Sequence, residues 1–242
     1  MKLTQRMACV LVAILAGGCS TVPKAPASTR LPMREPYRLL LVYPDIQVRE
    51  LTADGAVSFR TEWADEARLA MAGTLRQSLA AKTGLAVEIV GSEQAGADPE
   101  LVGEVHLRHD ALGRMVARPK TVGATLGDAA EKLGEATKSE LLFIMHADFT
   151  VRTTGRKALI GVGVVGCSLL SAGLLGGTNV CSDPDAGDYS AYASLVDGDT
   201  GDILWTTVAA SGPGDLRREK ATRKLAKVLT KKLPDLKPAA AR

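Results

Sequence analysis

The stretch from Glu140 to Arg152, ELLFIMHADFTVR, constrains the fold of this chain more than any other segment. Its first half is aliphatic and aromatic throughout, and its second half alternates between apolar and polar residues. Residues of these types favour β-strands because they pack well on a pleated, half-buried surface. The segment is therefore predicted to be a strand in the centre of a sheet.

Strand-like and helix-like segments alternate along most of the chain. Strands are predicted for two short runs, YRLLLVYPDIQV and LAVEIV, and Asp54-Gly55 lies between two semi-alternating stretches, which indicates a hairpin. Apolar positions recur at helical spacing over residues 61–83, where Thr61 is expected to cap the helix and Gly84 to end it. Weaker helical patterns cover residues 98–115 and 126–137.

The C-terminal part of the chain predicts two strands and a final helix. The strands lie on either side of Asp199-Thr200-Gly201 in SAYASLVDGDTGDILWTTVAA. In the helix, over residues 215–233, the apolar residues are expected to face the body of the protein; they are Leu216, Leu225, Val228, Leu229 and Leu233. Strands that alternate with helices predict the α/β class, a mixed β-sheet flanked by helices with an apolar Gly-rich helical insertion.

The N-terminal residues have the layout of a secretory signal. Lys2 and Arg6 precede an uncharged run that is too short to span a bilayer, and small residues follow it. The sequence Leu15-Ala16-Gly17-Gly18-Cys19 resembles the lipobox of bacterial lipoproteins, although that family prefers a larger aliphatic residue at Ala16. The resemblance implies cleavage after residue 18 and acylation of Cys19. An ordinary cleaved signal with an incidental cysteine is the alternative.

The lipobox resemblance also implies a location and a domain plan. Several acyl chains would hold the protein stably on a membrane. Ser20 follows the cysteine, where inner-membrane members of the family often carry Asp, so we expect an outer-membrane protein that faces the periplasm. Residues 19–36 are predicted to be a lipidated start and flexible tether, residues 37–236 a single periplasmic α/β domain, and residues 237–242 a disordered tail.

Two cysteines remain for the mature domain once Cys9 leaves with the signal and Cys19 carries lipid. Because the periplasm is oxidising, Cys167 and Cys181 are expected to form a disulfide. Two free buried thiols, or one reactive thiol, are the alternatives.

The segment from Ala158 to Gly177, ALIGVGVVGCSLLSAGLLGG, contains no charged residue. If it is helical, small side chains recur every four residues and would allow another backbone to approach closely. It is interpreted as a buried helix on the sheet. A membrane-inserted or oligomer-forming helix, and a pair of strands in an assembled barrel, remain alternatives.

Candidate site residues are few. His106 and His109 are spaced i, i+3, but a zinc site needs a third ligand and no HExxH motif is present, so we predict no metal. His146 and Asp148 are expected on one face of their strand, yet no Gly-x-Ser-x-Gly elbow supplies a serine for a triad. Surface or half-buried histidines are the simpler interpretation of His106 and His109, and a core histidine is the simpler interpretation of His146. No catalytic residue and no cofactor are predicted.

Two charged segments are interpreted as surface structure. The carboxylates of Asp197 to Asp202 are similar to a calcium loop, but Val208 stands where such a loop needs a bidentate Glu, so a turn is predicted. The final helix carries many lysines and arginines, which form a solvated face or contact anionic lipid phosphates. The chain is nearly neutral without Lys2 and Arg6, which argues against a nucleic-acid partner.

The element order, with SLVDGDTGDILW before a final helix, resembles the periplasmic α/β domains of two lipoprotein groups. These are the curli secretion channel lipoprotein and the lipoproteins that activate peptidoglycan synthases. We therefore expect a non-enzymatic lipoprotein of the cell envelope that binds a protein partner or self-associates in assembly, secretion or wall maintenance. The alternatives are a periplasmic envelope hydrolase and a subunit of an oligomeric membrane channel.

Overall fold

The computed structural model describes residues 37–91, 98–116, 124–152, 188–210, 215–234 and 236. The predicted signal peptide, tether, apolar segment and C-terminal tail lie outside these ranges, as do Cys19, Cys167 and Cys181.

The described residues form a mixed sheet with helices on both faces, which confirms the predicted α/β class. The strands are β1 (Leu39–Val42), β2 (Asp45–Leu51), β3 (Val57–Phe59), β4 (Val87–Val90), β5 (Leu141–Arg152), β6 (Asp188–Asp197) and β7 (Ile203–Ala210). The helices are α1 (Thr61–Thr83), α2 (Pro99–Val116), α3 (Asp128–Thr137) and α4 (Glu219–Thr230).

Strand β5 lies at the centre of the sheet, as its sequence predicts. One of its edges pairs in parallel with β1 and then with β2, and its other edge pairs antiparallel with β6. The neighbours extend the sheet outwards: β4 pairs with β1, β3 with β2 and β7 with β6. Every other described strand is therefore arranged around β5.

Strands β1 and β2 run end to end along the same edge of β5, and a bulge separates them. Leu41 is opposite Phe143, and Asp45 is opposite His146. Three residues therefore lie between these two positions on the β1–β2 side, but only two lie between them on β5. The extra residue lies beside Pro44, whose nitrogen cannot donate a ladder hydrogen bond.

This bulge decides which face of the sheet the side chains of β2 occupy. Leu39 and Leu41 face α1 and α4, and strict alternation would keep the odd-numbered residues on that face. After the extra residue, Ile46 and Val48 are the ones buried beneath α1 and α4. Asp45 is consequently turned to the opposite face, towards α2.

Two apolar clusters hold the layers together. One joins the sheet to α1 and α4, with Met71 and Leu75 from α1 and Leu225 and Leu229 from α4 fully buried. The other joins the opposite face to α2 and α3. Burial of each such side chain contributes about 1.5–3 kcal/mol to folding, so both helix layers are firmly attached.

Helix boundaries agree closely with the sequence pattern. Helix α1 begins at Thr61, which is its first residue rather than its cap, and ends at Gly84, whose φ of 75° suits glycine. Helix α4 begins later than predicted, at Glu219. The prediction that Val228 faces the body was wrong: it is 42% exposed, because the buried stripe of α4 passes through Leu225 and Leu229 instead.

The segment between β6 and β7 is a turn, as predicted. The Asp197 carboxylate accepts hydrogen bonds from the backbone N–H groups of Asp199 and Thr200, at 2.8 and 3.2 Å. Gly201 closes the turn with a φ of 69°. The Asp197 carboxylate, a possible cation ligand, is therefore occupied by hydrogen bonds from the backbone of the turn.

Helix α3 packs directly on this turn through glycine. A methyl group added at Gly134 would overlap the carbonyl oxygen of Gly198, whereas one added at Gly73 in α1 would have no atom within 4 Å. The close approach of helix and turn thus requires the absence of a side chain at Gly134.

We expect Gly134→Ala to lower the free energy of unfolding by about 1–3 kcal/mol, because the new methyl group must push α3 away from the turn. Gly73→Ala, the matched helix-interior control, should raise it by about 0.5–1 kcal/mol through reduced backbone entropy of the unfolded chain. Urea unfolding of both variants measures the difference. Equal effects of the two substitutions would contradict the packing described above.

Candidate functional site: a polar cluster beneath α2

A group of polar side chains interrupts the apolar face of the sheet where α2 crosses it. Along β5, Leu142 and Ile144 on this face contact the apolar cluster, and the next two side chains on the same face are His146 and Asp148. Helix α2 covers this polar part of the sheet. The polar cluster is defined by Asp45, His109, Asp110, His146, Asp148, Tyr192 and Ser194.

His146 lies at the centre of the polar cluster and is only 3% exposed. Its Nδ1 is 2.7 Å from the Asp45 carboxylate, which the bulge at Pro44 turns to this face. On its other side, Nε2 lies 3.5 Å from Asp148 and 3.8 Å from Asp110. Carboxylates from β2, β5 and α2 therefore surround one imidazole ring.

These carboxylates favour the charged form of His146. Burial by itself lowers the pKa of a histidine, but the hydrogen bond and charge of Asp45, with the charges of Asp110 and Asp148, outweigh it and raise the pKa of His146. For Asp45, burial raises the pKa, yet the hydrogen bond and charge of His146 lower it overall. Each group thus favours the charged form of the other, and the two form a buried ion pair when His146 is protonated.

Tyr192 links α2 to the sheet beside this ion pair. Its hydroxyl donates a 3.0 Å hydrogen bond to Asp110. Its ring stacks at a tilt between two imidazoles, with centroids 4.8 Å from His109 and 5.2 Å from His146. The ring lies so close to Gly113 that any side chain there would overlap it. The glycine is what lets α2 approach the tyrosine.

The two other histidines are neutral and lie on α2. Burial lowers the pKa of His109 to about 3, and its Nε2 is 2.8 Å from the Ser194 hydroxyl. Burial also lowers the pKa of His106, whose Nε2–H donates to the carbonyl oxygen of Tyr43 at 2.9 Å. Among the described atoms, Nδ1 of each ring has no hydrogen-bond partner.

The prediction that His146 and Asp148 share a face is confirmed by their contact. Among the described residues no serine completes a triad with them, because the Ser194 hydroxyl bonds to His109 and Nε2 of His146 faces carboxylates. The carboxylates favour the protonated form of His146, and in that form the imidazole cannot accept a proton as a general base. Its contacts fasten α2 and β2 to β5.

Asp45 and Asp110 are site residues that the sequence analysis missed. They are 101 and 36 residues from His146 along the chain. The one available signal for Asp45 was Pro44, which interrupts the strand pattern immediately before it.

The described residues offer neither a metal-binding group nor a membrane-spanning helix. No group of three His, Cys, Asp or Glu side chains could hold a metal ion within residues 37–91, 98–116, 124–152, 188–210, 215–234 and 236. No helix of these ranges has the length and hydropathy needed to cross a bilayer.

Comparison with known proteins was made for the whole chain. No protein-family model and no curated protein matches it. Among solved structures, one from Helicobacter pylori, described as a neuraminyllactose-binding hemagglutinin homologue, is 12% identical with a TM-score of 0.40, covering 87% of this chain and 90% of that chain. The PelC dodecamer from Paraburkholderia phytofirmans is 12% identical with a TM-score of 0.35, covering 83% and 92%.

The C-terminal domain of LpoB from Salmonella enterica is 16% identical with a TM-score of 0.26, covering 72% of this chain and 81% of that chain. LpoB, a peptidoglycan synthase activator lipoprotein, belongs to one of the two groups that the sequence resembles. No residue role is transferred from these structures.

The ion pair of His146 predicts a pH dependence of stability. Because its pKa is higher in the folded chain than the unfolded value of about 6.5, its contribution is fully present below that pH and is lost as the pH rises through the raised pKa. We expect His146→Gln to cost more unfolding free energy at about pH 6 than at about pH 9. Denaturant unfolding at a series of pH values measures this difference.

The control is His106→Gln. Because the pKa of His106 is lowered in the folded chain, its replacement should not remove a contribution to stability that is largest at low pH. An NMR titration that places the pKa of His146 below that of a free imidazole would contradict the ion pair.

Proposed function

We propose that this protein is a non-enzymatic lipoprotein of the cell envelope, anchored to the outer membrane by acylated Cys19. Its α/β domain binds a protein partner or a second copy of itself in envelope assembly, secretion or wall maintenance. The anchor is supported by the sequence Leu15-Ala16-Gly17-Gly18-Cys19, and residues 19–36 would let the domain stand away from the lipid surface.

The binding role is supported by one surface of the β2–β3 hairpin. Phe59 and Val57 are 70% and 58% exposed and lie two residues apart, so they share a face of edge strand β3. Leu51 is opposite Val57 on β2 and extends the same face. We call Leu51, Val57 and Phe59 the hairpin surface. Exposed apolar side chains on an unpaired edge favour contact with another protein.

The hairpin surface is positioned by the polar cluster. Arg49 is opposite Phe59 in the sheet and forms an ion pair of 3.1 Å with Asp148. Because Asp148 also lies beside His146, Arg49 connects the hairpin to the buried ion network, as Asp45 of the same hairpin does directly. The surface is consequently presented on the α2 side of the sheet.

The anchor is tested by Cys19→Ser in the full chain. We expect the variant to incorporate no palmitate and to leave the outer-membrane fraction, because the serine hydroxyl cannot form the thioether. Cys9→Ser is the matched control within the leader and should be labelled normally. Equal labelling of the parent and of Cys19→Ser would refute the anchor.

The binding role is tested by Phe59→Ser, which removes the most exposed ring of the hairpin surface. Crosslinking in intact envelopes, followed by purification of the protein, should lose a specific crosslinked partner or dimer in this variant. Leu69→Ser is the matched control, since Leu69 on α1 is also 70% exposed. Both substitutions should change stability by less than about 0.5 kcal/mol. Identical crosslinks in the two variants would exclude the hairpin surface.

A further inference from the structure

One face of α4 carries a dense group of cations that the fold holds outwards. The helix buries Ala221, Leu225, Ala226 and Leu229, so its opposite side must face solvent. Six exposed cations lie on that side of the helix or directly after its last residue: Lys220, Arg223, Lys224, Lys227, Lys231 and Lys232. We call this group the basic face.

The charges of the basic face are almost unopposed. Arg223 pairs with Glu219, which is the acidic residue of the first helical turn. Within the part of the chain that the structure describes, the five lysines form no ion pair. On α3, by contrast, exposed Lys132 pairs with Asp128 at 2.9 Å. The basic face therefore keeps most of its positive charge.

An apolar side chain lies within this array. Val228 is 42% exposed and follows Lys227 on the helix, one turn after Lys224. Lysine stems are themselves apolar and can extend along such a side chain while their ammonium groups reach outwards. Cations around an exposed apolar residue are the side chains expected at a boundary between phosphate headgroups and acyl chains.

The point where the chain enters the described fold lies on the same side. Tyr37, the first residue that the structure describes, packs against the apolar cluster that also holds α4. With the anchor at Cys19, on which this step of the inference rests, the tether would bring that layer towards the bilayer. A helix of 12 residues presents its cations along a line of about 18 Å, which suits a flat, phosphate-rich surface.

We propose that the basic face of α4 is a docking surface for the anionic lipid headgroups of the membrane to which the chain is attached. Contact orients the domain with α4 against the bilayer and the α2 side of the sheet away from it. Each lysine close to an anionic bilayer strengthens binding about fivefold, and the effect acts within a screening length of about 8 Å at physiological salt.

The test measures vesicle binding by the full chain carrying Cys19→Ser, so that no acyl anchor contributes. Binding is compared for vesicles of phosphatidylcholine alone and for vesicles that also contain phosphatidylglycerol. Every variant has the same leader, whose cations Lys2 and Arg6 add equally to the binding of each, so the differences between variants report the basic face. We expect tighter binding to the anionic vesicles, and this gain should disappear at high salt.

The double variant Lys224→Gln with Lys227→Gln should weaken binding to anionic vesicles roughly 30-fold, since two cations are removed. The matched control is Lys132→Gln with Lys138→Gln, which removes two exposed cations from the opposite layer and should change binding little. All four side chains are exposed, so we expect both double variants to keep the thermal unfolding midpoint of the parent. An unchanged midpoint shows that the variants are folded.

Three results would overturn the proposal: no preference of the parent for phosphatidylglycerol, equal losses in the two double variants, or a loss of crosslinking to an acidic protein with unchanged vesicle binding. Because the acyl anchor is absent from every arm, these results are independent of palmitate labelling at Cys19. A failed anchor and a failed docking surface are thus told apart.

Discussion

The buried ion pair between His146 and Asp45 is the interaction that links the parts of this fold. A charged group without a partner is very costly inside a protein, so the imidazolium requires its carboxylates to stay in place. Those carboxylates come from three separate elements, β2, β5 and α2. Slipping β2 by one residue would turn Asp45 to the other face and remove the carboxylate that is hydrogen-bonded to His146. The pair therefore couples strand register to the position of the helix.

The same arrangement places two different surfaces on opposite sides of the sheet. Arg49 joins the ion network to the hairpin, whose apolar side chains lie on the α2 side. The basic face lies on the layer of α1 and α4, where Tyr37 enters the fold. An anionic bilayer below α4 and a protein beside the hairpin could then be contacted together. The layered architecture would keep these two proposed contacts apart.

Most elements of the fold could be predicted because the forces that specify them are local. The spacing of Met71, Leu75 and Leu79 is a property of one helix, and Gly84 ends it because glycine tolerates a positive φ. The turn at Asp197 likewise depends on neighbouring backbone groups. Val228 was misplaced because its exposure depends on how α4 rotates against the core, and small residues such as Ala221 widen the buried stripe.

The sequence by itself determined the α/β class, the central position of β5 and the shared face of His146 and Asp148, since periodicity and residue type act over a few positions. Only the tertiary structure decided that Asp45 and Asp110 meet His146, because an extra residue at Pro44 and the crossing of α2 set those distances. Protonation follows from distance and burial, which no spacing along the chain encodes. For that reason the sequence could present His146 as a core histidine, but the carboxylates that raise its pKa became visible only in the folded protein.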